Sequence, residues 1–297
     1  MHEHHQPTHS GGHLHAFESP EMAQFAELEG EVLSGFVSQA GTVLAQRNET
    51  DDRPARRVLD LGCGPGVGTC ILAEHLAEAS VIAVDGSAAM VERAAARTER
   101  LGLTSRVTTR LVALPDDLDS LVELGRHDVV WASMVLHHLG DEIDALRRIR
   151  PLLEPDGLLA IVEMGGPLRV LPGDAAVGRP GFEDRLDAAW EVWFAEMRSS
   201  LPGSVASTDY PTMLERAGFE VVVDEMLTLE LDAPLDDRAR RFAHRHLERS
   251  RARLGNDATT ADRETFDVLL GDSSRSVLGG DGVAIRASRH LYVARAA

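Results

Sequence analysis

Residues 57–66 read RVLDLGCGPG, an apolar run that ends in glycines at positions 62, 64 and 66. A chain that turns from strand to helix, and lets a ligand lie against its backbone, needs residues without bulk there. The next apolar run, VIAVDGS, closes on Asp85. From this point strand-like and helix-like segments alternate. Apolar runs at 57–61, 81–84, 107–112, 128–132 and 158–163 are separated by helical patterns at about 66–77, 87–100, 116–124 and 141–149. Ser87 suits the N-cap of the second helix, and Pro151 stops the fourth. This βαβαβ series predicts an α/β fold with a mostly parallel sheet covered by helices on both faces.

After Glu163 the rhythm breaks. Residues 165–181, GGPLRVLPGDAAVGRPG, are rich in turn formers. A long helix is predicted over 182–199, with Leu186, Ala189, Trp190, Trp193, Phe194 and Met197 on one stripe that could line an apolar pocket. A short helix at 208–217, stopped by Gly218, precedes a sixth strand at 219–224, and 285–294 reads as the closing seventh strand. Between these two strands lie an Arg-rich helix at 237–253 and a shorter one near 262–270. The bland reading of Arg238, Arg240, Arg241, Arg245, Arg249, Arg251 and Arg253 is a solvated face; the sharper one is an anionic acceptor or a partner interface. Excursions at 166–207 and about 225–284 are too long for simple connections and predict helical lid insertions. They interrupt a core at 55–165 that is completed from the C-terminal part, 208–297. Ahead of it, Met22, Phe25, Leu28, Val32, Phe36 and Val37 predict a helical segment over 20–50, one helix running from Pro20 to about Gln46, with its apolar face open to dimerisation. Residues 1–19 hold six of the 13 histidines, with Pro7, Gly11 and Gly12 between them, and read as a disordered His-rich tail without a defined metal site.

Charge narrows the partners. Asp and Glu number 48 against 30 basic residues, all of them Arg, for a formal net charge of -18. A chain so acidic repels phosphate backbones and anionic membranes at long range, which argues against nucleic acid and membrane partners. The absence of Lys removes Schiff-base chemistry and Walker-type phosphate binding. Cys63 and Cys70 are the only cysteines, too few for a disulfide framework, so a reducing, cytoplasmic setting is expected. The first residues show neither the basic nor the apolar region of a signal peptide.

The spacing from the glycines to Asp85 suits a carboxylate that accepts hydrogen bonds from a ribose diol. The pattern is GCGPG rather than GxGxxG, however, and Asp60 precedes it. A carboxylate there repels a pyrophosphate and suits a ligand that bears an amine. VLDLGCGPG closely resembles the cofactor motif of the class I S-adenosylmethionine-dependent methyltransferases. The resemblance covers about residues 55–165, and more weakly 208–224 and 284–295. VIAVDGS, Leu114-Pro115, DVVWASMVLHHL and LRRIRPLLEPDGLLAIVE are similar to the family's later segments. It implies a Rossmann-like, seven-stranded sheet and S-adenosyl-L-methionine as cofactor. By the same resemblance Asp60, Gly62, Cys63, Gly64 and Gly66 lie by the methionyl part, and Asp85 holds the ribose with Gly86 and Ser87 beside it. Met90 lies against adenine, whose edge is held by Leu114, by backbone groups, or by Asp116 or Asp117, and Ser133 and Met134 touch the cofactor. The chain departs from many relatives in reading RLVALP, with Arg110, where they carry an acid that meets the adenine amine.

Methyl transfer from a sulfonium mainly requires in-line alignment of the acceptor, with a base only where the acceptor is protonated. His137 and His138 follow the fourth strand at its carboxyl end, where open α/β sheets place ligands, and are the candidate bases. The expected activity is transfer of a methyl group to an oxygen, nitrogen or carbon of a small organic molecule. A cyclase or isomerase that keeps the cofactor without net transfer is the nearest alternative, and a non-catalytic scaffold on the same fold is the second.

Overall fold

The computed structural model describes residues 19–50, 53–171, 178–204, 208–279 and 283–296. The His-rich tail expected at 1–19 lies outside them, save for Ser19. Five strands follow the apolar runs: β1 (Arg57–Leu61), β2 (Ser80–Asp85), β3 (Val107–Leu111), β4 (His127–Ser133) and β5 (Leu153–Met164). β6 (Phe219–Leu231) and β7 (Ile285–Ala296) complete one seven-stranded sheet in the order β3-β2-β1-β4-β5-β7-β6. The first five strands are parallel; β7 runs antiparallel to both β5 and β6. The inner strands are buried on both faces, as parallel strands between helical layers must be, and so they read as continuous apolar runs.

Helices cover both faces. On one, Phe36, Leu44, Leu72, Phe242 and Phe266 pack on Trp131, Val162 and Leu291 of the sheet. These helical residues come from α2 (Gly35–Thr50), α3 (Val67–His75), α8 (Asp237–Leu254) and α9 (Thr260–Leu269). On the other, Leu146 of α5 (Glu142–Ile149) and Tyr210 and Leu214 of α7 (Tyr210–Arg216) pack on Leu59, Leu159 and Tyr292. α4 (Ala88–Arg100) starts at the expected cap, where Ser87 Oγ accepts from Met90 N at 3.4 Å. The remaining helices are α1 (Pro20–Val32) and α6 (Phe182–Ser199). A buried ion pair between Glu142 and Arg198 fastens the C-terminal turn of α6 to the start of α5.

Several boundaries differ from the sequence pattern. The single helix expected from Pro20 to about Gln46 is two, broken at Leu33 and Ser34. Gly30 and Gly35 flank the break and weaken the helix there. β6 does not stop at Asp224 but runs to Leu231, because β7 pairs with it along its whole length, as far as Leu231 opposite Ile285. The second excursion therefore begins after 231 rather than at about 225. The helix expected over 116–124 is a 3₁₀ helix at Leu118–Leu124. The apolar face of α1 offered for dimerisation is partly used within the chain, where Phe25 stacks on Phe242 at 5.9 Å.

Gly66 opens α3 at φ +76°, and a Cβ there would lie 2.8 Å from the Cα of Ala94 in α4. Gly66→Ala combines left-handed strain with overpacking, and we expect it to lower the unfolding free energy by about 3 kcal/mol. Urea titration of the two proteins measures this, and equal midpoints at equal slope would refute it.

Candidate functional site

The carboxyl ends of β1, β2 and β4 open into a cavity of about 350 Å³. Asp60, Gly62, Cys63, Gly64, Asp85 and Gly86 form one end, with Met90 and Leu114 beside them. Trp131, Ser133, Met134, His137 and His138 form the wall after β4. Ala26, Glu29, Gly30 and Leu33 roof it from α1 and the turn after it, with Phe36 from α2, and Arg289 of β7 completes the lining.

The glycine turn is built by its neighbours. Cys63 N donates to Val84 O at 2.9 Å, which ties the turn to β2. A Cβ at Gly62 would lie 2.4 Å from Val135, so the turn passes directly under the segment after β4. A Cβ at Gly64 would meet nothing within 4 Å, so the backbone there borders open space. Asp85 accepts from Gly64 N at 2.8 Å with one oxygen and from Ser87 N at 2.9 Å with the other. One carboxylate thus holds the turn and the start of α4 in register.

Asp60 is 2% exposed, and its carboxyl accepts from the Thr69 hydroxyl at 2.6 Å. Burial, reinforced by the charge of Asp85 and only partly opposed by Thr69, pushes its pKa up to about 7. An unmet demand for positive charge therefore sits at the end of β1. Burial also pushes the Cys63 thiol up, with Asp60 and Asp85 adding to the effect, so it is a neutral thiol and no nucleophile.

Past β4 the chain turns sharply. Met134 has φ +58°, and its N donates to Val162 O at 2.8 Å. Glu163, 1% exposed at the end of β5, organises the short helical turn at Leu136–His138. One of its oxygens accepts from Leu136 N at 3.0 Å, and the other lies 2.7 Å from His137 Nδ1. A carboxylate acceptor assigns the proton to Nδ1 and leaves Nε2 as the basic atom. The His137 and His138 rings are 4.1 Å apart. Phe194 of α6 stands 5.5 Å from His137 and stacks on Trp190 at 4.8 Å.

The cavity gathers Asp60, Gly62, Cys63, Gly64, Asp85, Gly86, Met90, Leu114, Ser133, Met134, His137 and His138. Gly66 and Ser87 are not on its wall. Gly66 faces α4, and Ser87 is buried as a helix cap that reaches the cavity only through Asp85. Trp190, Trp193, Phe194 and Met197, expected to line an apolar pocket, are not on the wall either; the roof comes from α1 and α2. Sequence reasoning passed over Glu163, Thr69, Glu29 and Arg289. Glu163 had a signal, an acid closing the apolar run LLAIV at the carboxyl end of a central strand. Glu29 and Arg289 had none, since they meet only through tertiary packing.

Residues 59–159 match the sequence model of a methyltransferase domain. The chain is 35% identical over 142 residues to trans-aconitate 2-methyltransferase of Methylobacterium radiotolerans, a match spanning 44% of this chain and 51% of that protein. It is 31% identical over 150 residues to the enzyme of that name from Rhodopseudomonas palustris, spanning 50% and 52%. The chain thus spans about half the length of these curated relatives. An O-methyltransferase family protein of Burkholderia thailandensis superposes with a TM-score of 0.51 at 18% identity, over 69% of this chain and 56% of that one, a likeness of fold. Residues 59–159 are thus a methyltransferase domain, of the S-adenosylmethionine-dependent class I type that the sequence resembles.

The residues present fit the family's cofactor, S-adenosylmethionine. The open backbone at Gly64 leaves room for it, the Asp85 carboxylate is placed to meet a diol, and Asp60 lacks a cation. Among the described residues no group of His, Cys, Asp and Glu is placed to hold a metal, and no helix is long and apolar enough to cross a membrane.

The Asp60 shift has two consequences. In the unfolded chain this carboxyl ionises near pH 4, but in the fold it stays neutral up to about pH 7. Its contribution to stability therefore falls as pH rises from about 4 to 7 and is level above that. Conversely, a cationic amine brought beside Asp60 pulls its proton off. We expect the affinity for S-adenosylhomocysteine, which keeps the amine, to rise with pH up to about 7, with proton release that calorimetry in two buffers detects. Asp60→Asn should abolish that release; release unchanged in the variant would count against the assignment.

Proposed function

We propose that the protein is a cytoplasmic enzyme that transfers the methyl group of S-adenosylmethionine to an oxygen, nitrogen or carbon of a small organic acceptor. The observation that carries this reading is the meeting, in one cavity, of the Asp60–Asp85 glycine turn and the Glu163–His137 pair. Trans-aconitate, the acceptor named for the curated relatives, enters as one candidate among others.

S-adenosylmethionine, when bound, supplies an electrophilic methyl on a sulfonium. The protein's part is position and proton handling. Asp85 would hold the ribose hydroxyls, Gly64 would let the cofactor lie on the backbone, and Asp60 would take the amine. Met90 and Leu114, both buried, offer an apolar slot for the adenine. Leu33 and Phe36 give the cavity an apolar roof. His137, its Nδ1 committed to Glu163, presents Nε2 as the atom that can accept the acceptor's proton. Glu163 would act through His137 by fixing its tautomer and stabilising the imidazolium that forms.

The direct test is a screen of small acceptors with S-adenosylmethionine supplied, read by mass for the gain of one CH₂. With an acceptor in hand, His137→Ala should lower kcat by about 10²-fold or more if it is the base. Its affinity for S-adenosylhomocysteine should stay unchanged. Glu163→Gln should fall between the two, because an amide still meets the imidazole but carries no charge. Full turnover in both variants would remove the imidazole from the reaction.

A further inference from the structure

Three half-buried arginines gather where α1, α6, α8 and β7 meet. Arg289 lines the cavity itself, its side chain 14% exposed. Its guanidinium lies 5.5 Å from the Phe36 ring and 3.7 Å from Glu29, and it also feels the charge of Glu163. Arg249 lies over the Phe25 ring at 4.7 Å and points one nitrogen at Met22 Sδ, 3.0 Å away. Arg253 lies over Trp193 at 4.8 Å. Among the described residues no carboxylate lies within 4.0 Å of Arg249 or Arg253. This is unusual in a chain with 48 acids for 30 bases. On the same α8 helix the outward Arg238, Arg245 and Arg251 all have an acid within that distance.

Glu29 is the shared counter-charge of all three. Glu163 acts on Arg289 as well but is already bonded to His137, and two carboxylates cannot balance three guanidinium groups, so the cluster carries excess positive charge. Its local effects agree: burial, with Arg253 and Arg249 close by, pushes His246 down to about 3 and keeps it neutral. Burial and the neighbouring Arg249 push Arg253 down to about 10. Guanidinium groups held by aromatic faces, two without a carboxylate within 4.0 Å among the described residues and the third, Arg289, with only a long contact to Glu29, are set up to receive an anion.

Position in the sheet says which molecule. The cofactor turn spans β1 and β2, whereas Arg289 stands on β7, three strands beyond β1. At the usual strand spacing that is about 14 Å away, toward the acceptor side of His137. Building on the proposed methyl transfer, we propose that Arg289, supported by Arg249 and Arg253, binds an acidic group of the acceptor. The acceptor is then an organic anion, a carboxylate, sulfonate or phosphate carried on an apolar body that the aromatic residues contact.

The test uses the full chain saturated with S-adenosylhomocysteine and titrated calorimetrically with 3-phenylpropanoate and, separately, its uncharged amide. The acid should bind at least about tenfold more tightly than the amide. Arg289→Gln and Arg249→Gln should each remove most of that preference while leaving the amide and S-adenosylhomocysteine affinities unchanged. Glu29→Gln, which deletes the competing carboxylate, should tighten acid binding. Equal affinity for acid and amide, or no binding of either up to about 10 mM, overturns the proposal. So does a loss of S-adenosylhomocysteine affinity in Arg289→Gln, which would assign that arginine to the cofactor's own carboxylate. If the wild-type chain does not bind S-adenosylhomocysteine at all, the methyltransferase reading fails, and the acid and amide comparison, run without it, still reads the arginine cluster.

Discussion

The turn at residues 62–66 leaves its neighbours almost no freedom, and much of the molecule is arranged around it. Val135 closes over Gly62, Ala94 over Gly66, and Asp85 reaches back to Gly64 N. Each contact joins a different element to the end of β1: the segment after β4, the helix α4, and the tip of β2. A side chain at either closed position would separate layers that the sheet holds together. The same closeness leaves the face at Gly64 open, so the packing that fixes the turn also creates the ligand surface.

Electrostatics then divides the cavity. At the β1–β2 end two carboxylates stand close together, and burial leaves Asp60 reluctant to ionise without a cation. At the β7 end the balance reverses: Arg289 is on the wall, and Arg249 and Arg253, off the wall, share Glu29 with it. Between them the Glu163 carboxyl and the His137 ring form a buried hydrogen-bonded pair. A cavity polarised this way orients a cationic ligand at one end and an anionic one at the other. The overall charge of -18 hides this, because Arg238, Arg245 and Arg251 on the outside of α8 are offset by neighbouring acids, whereas Arg249 and Arg253 have none within 4.0 Å among the described residues.

The sequence was most readable where local rules decide. The strand–turn–helix of 57–66, the acid that ends β2, the Ser87 cap and the succession of the first five strands along the chain follow from periodicity and from residues suited to their own backbone. It was least readable where distant segments meet. Nothing near Arg289 announces that Phe36 and Glu29 will surround it, and the pairing of β6 with β7 carries β6 seven residues past the end suggested by its pattern. The aromatic stripe on α6 reads as a pocket lining, yet α1 and α2 roof the cavity and the stripe reaches the site only through Phe194 beside His137. Gly66 and Ser87 belong to the motif but serve its architecture rather than its surface.

The long ribbon of β6 and β7 has one more consequence. The chain leaves it at Leu231 and returns at Ile285, and these two residues are partners in the ladder. The 53 residues between, including the α8 helix that supplies Arg249 and Arg253, are inserted through a doorway one strand spacing wide. Any folded cassette whose ends lie that close could be exchanged there without altering sheet register. Under the proposed role of Arg249 and Arg253, acceptor choice would drift by wholesale replacement of this module while the glycine turn stays as it is.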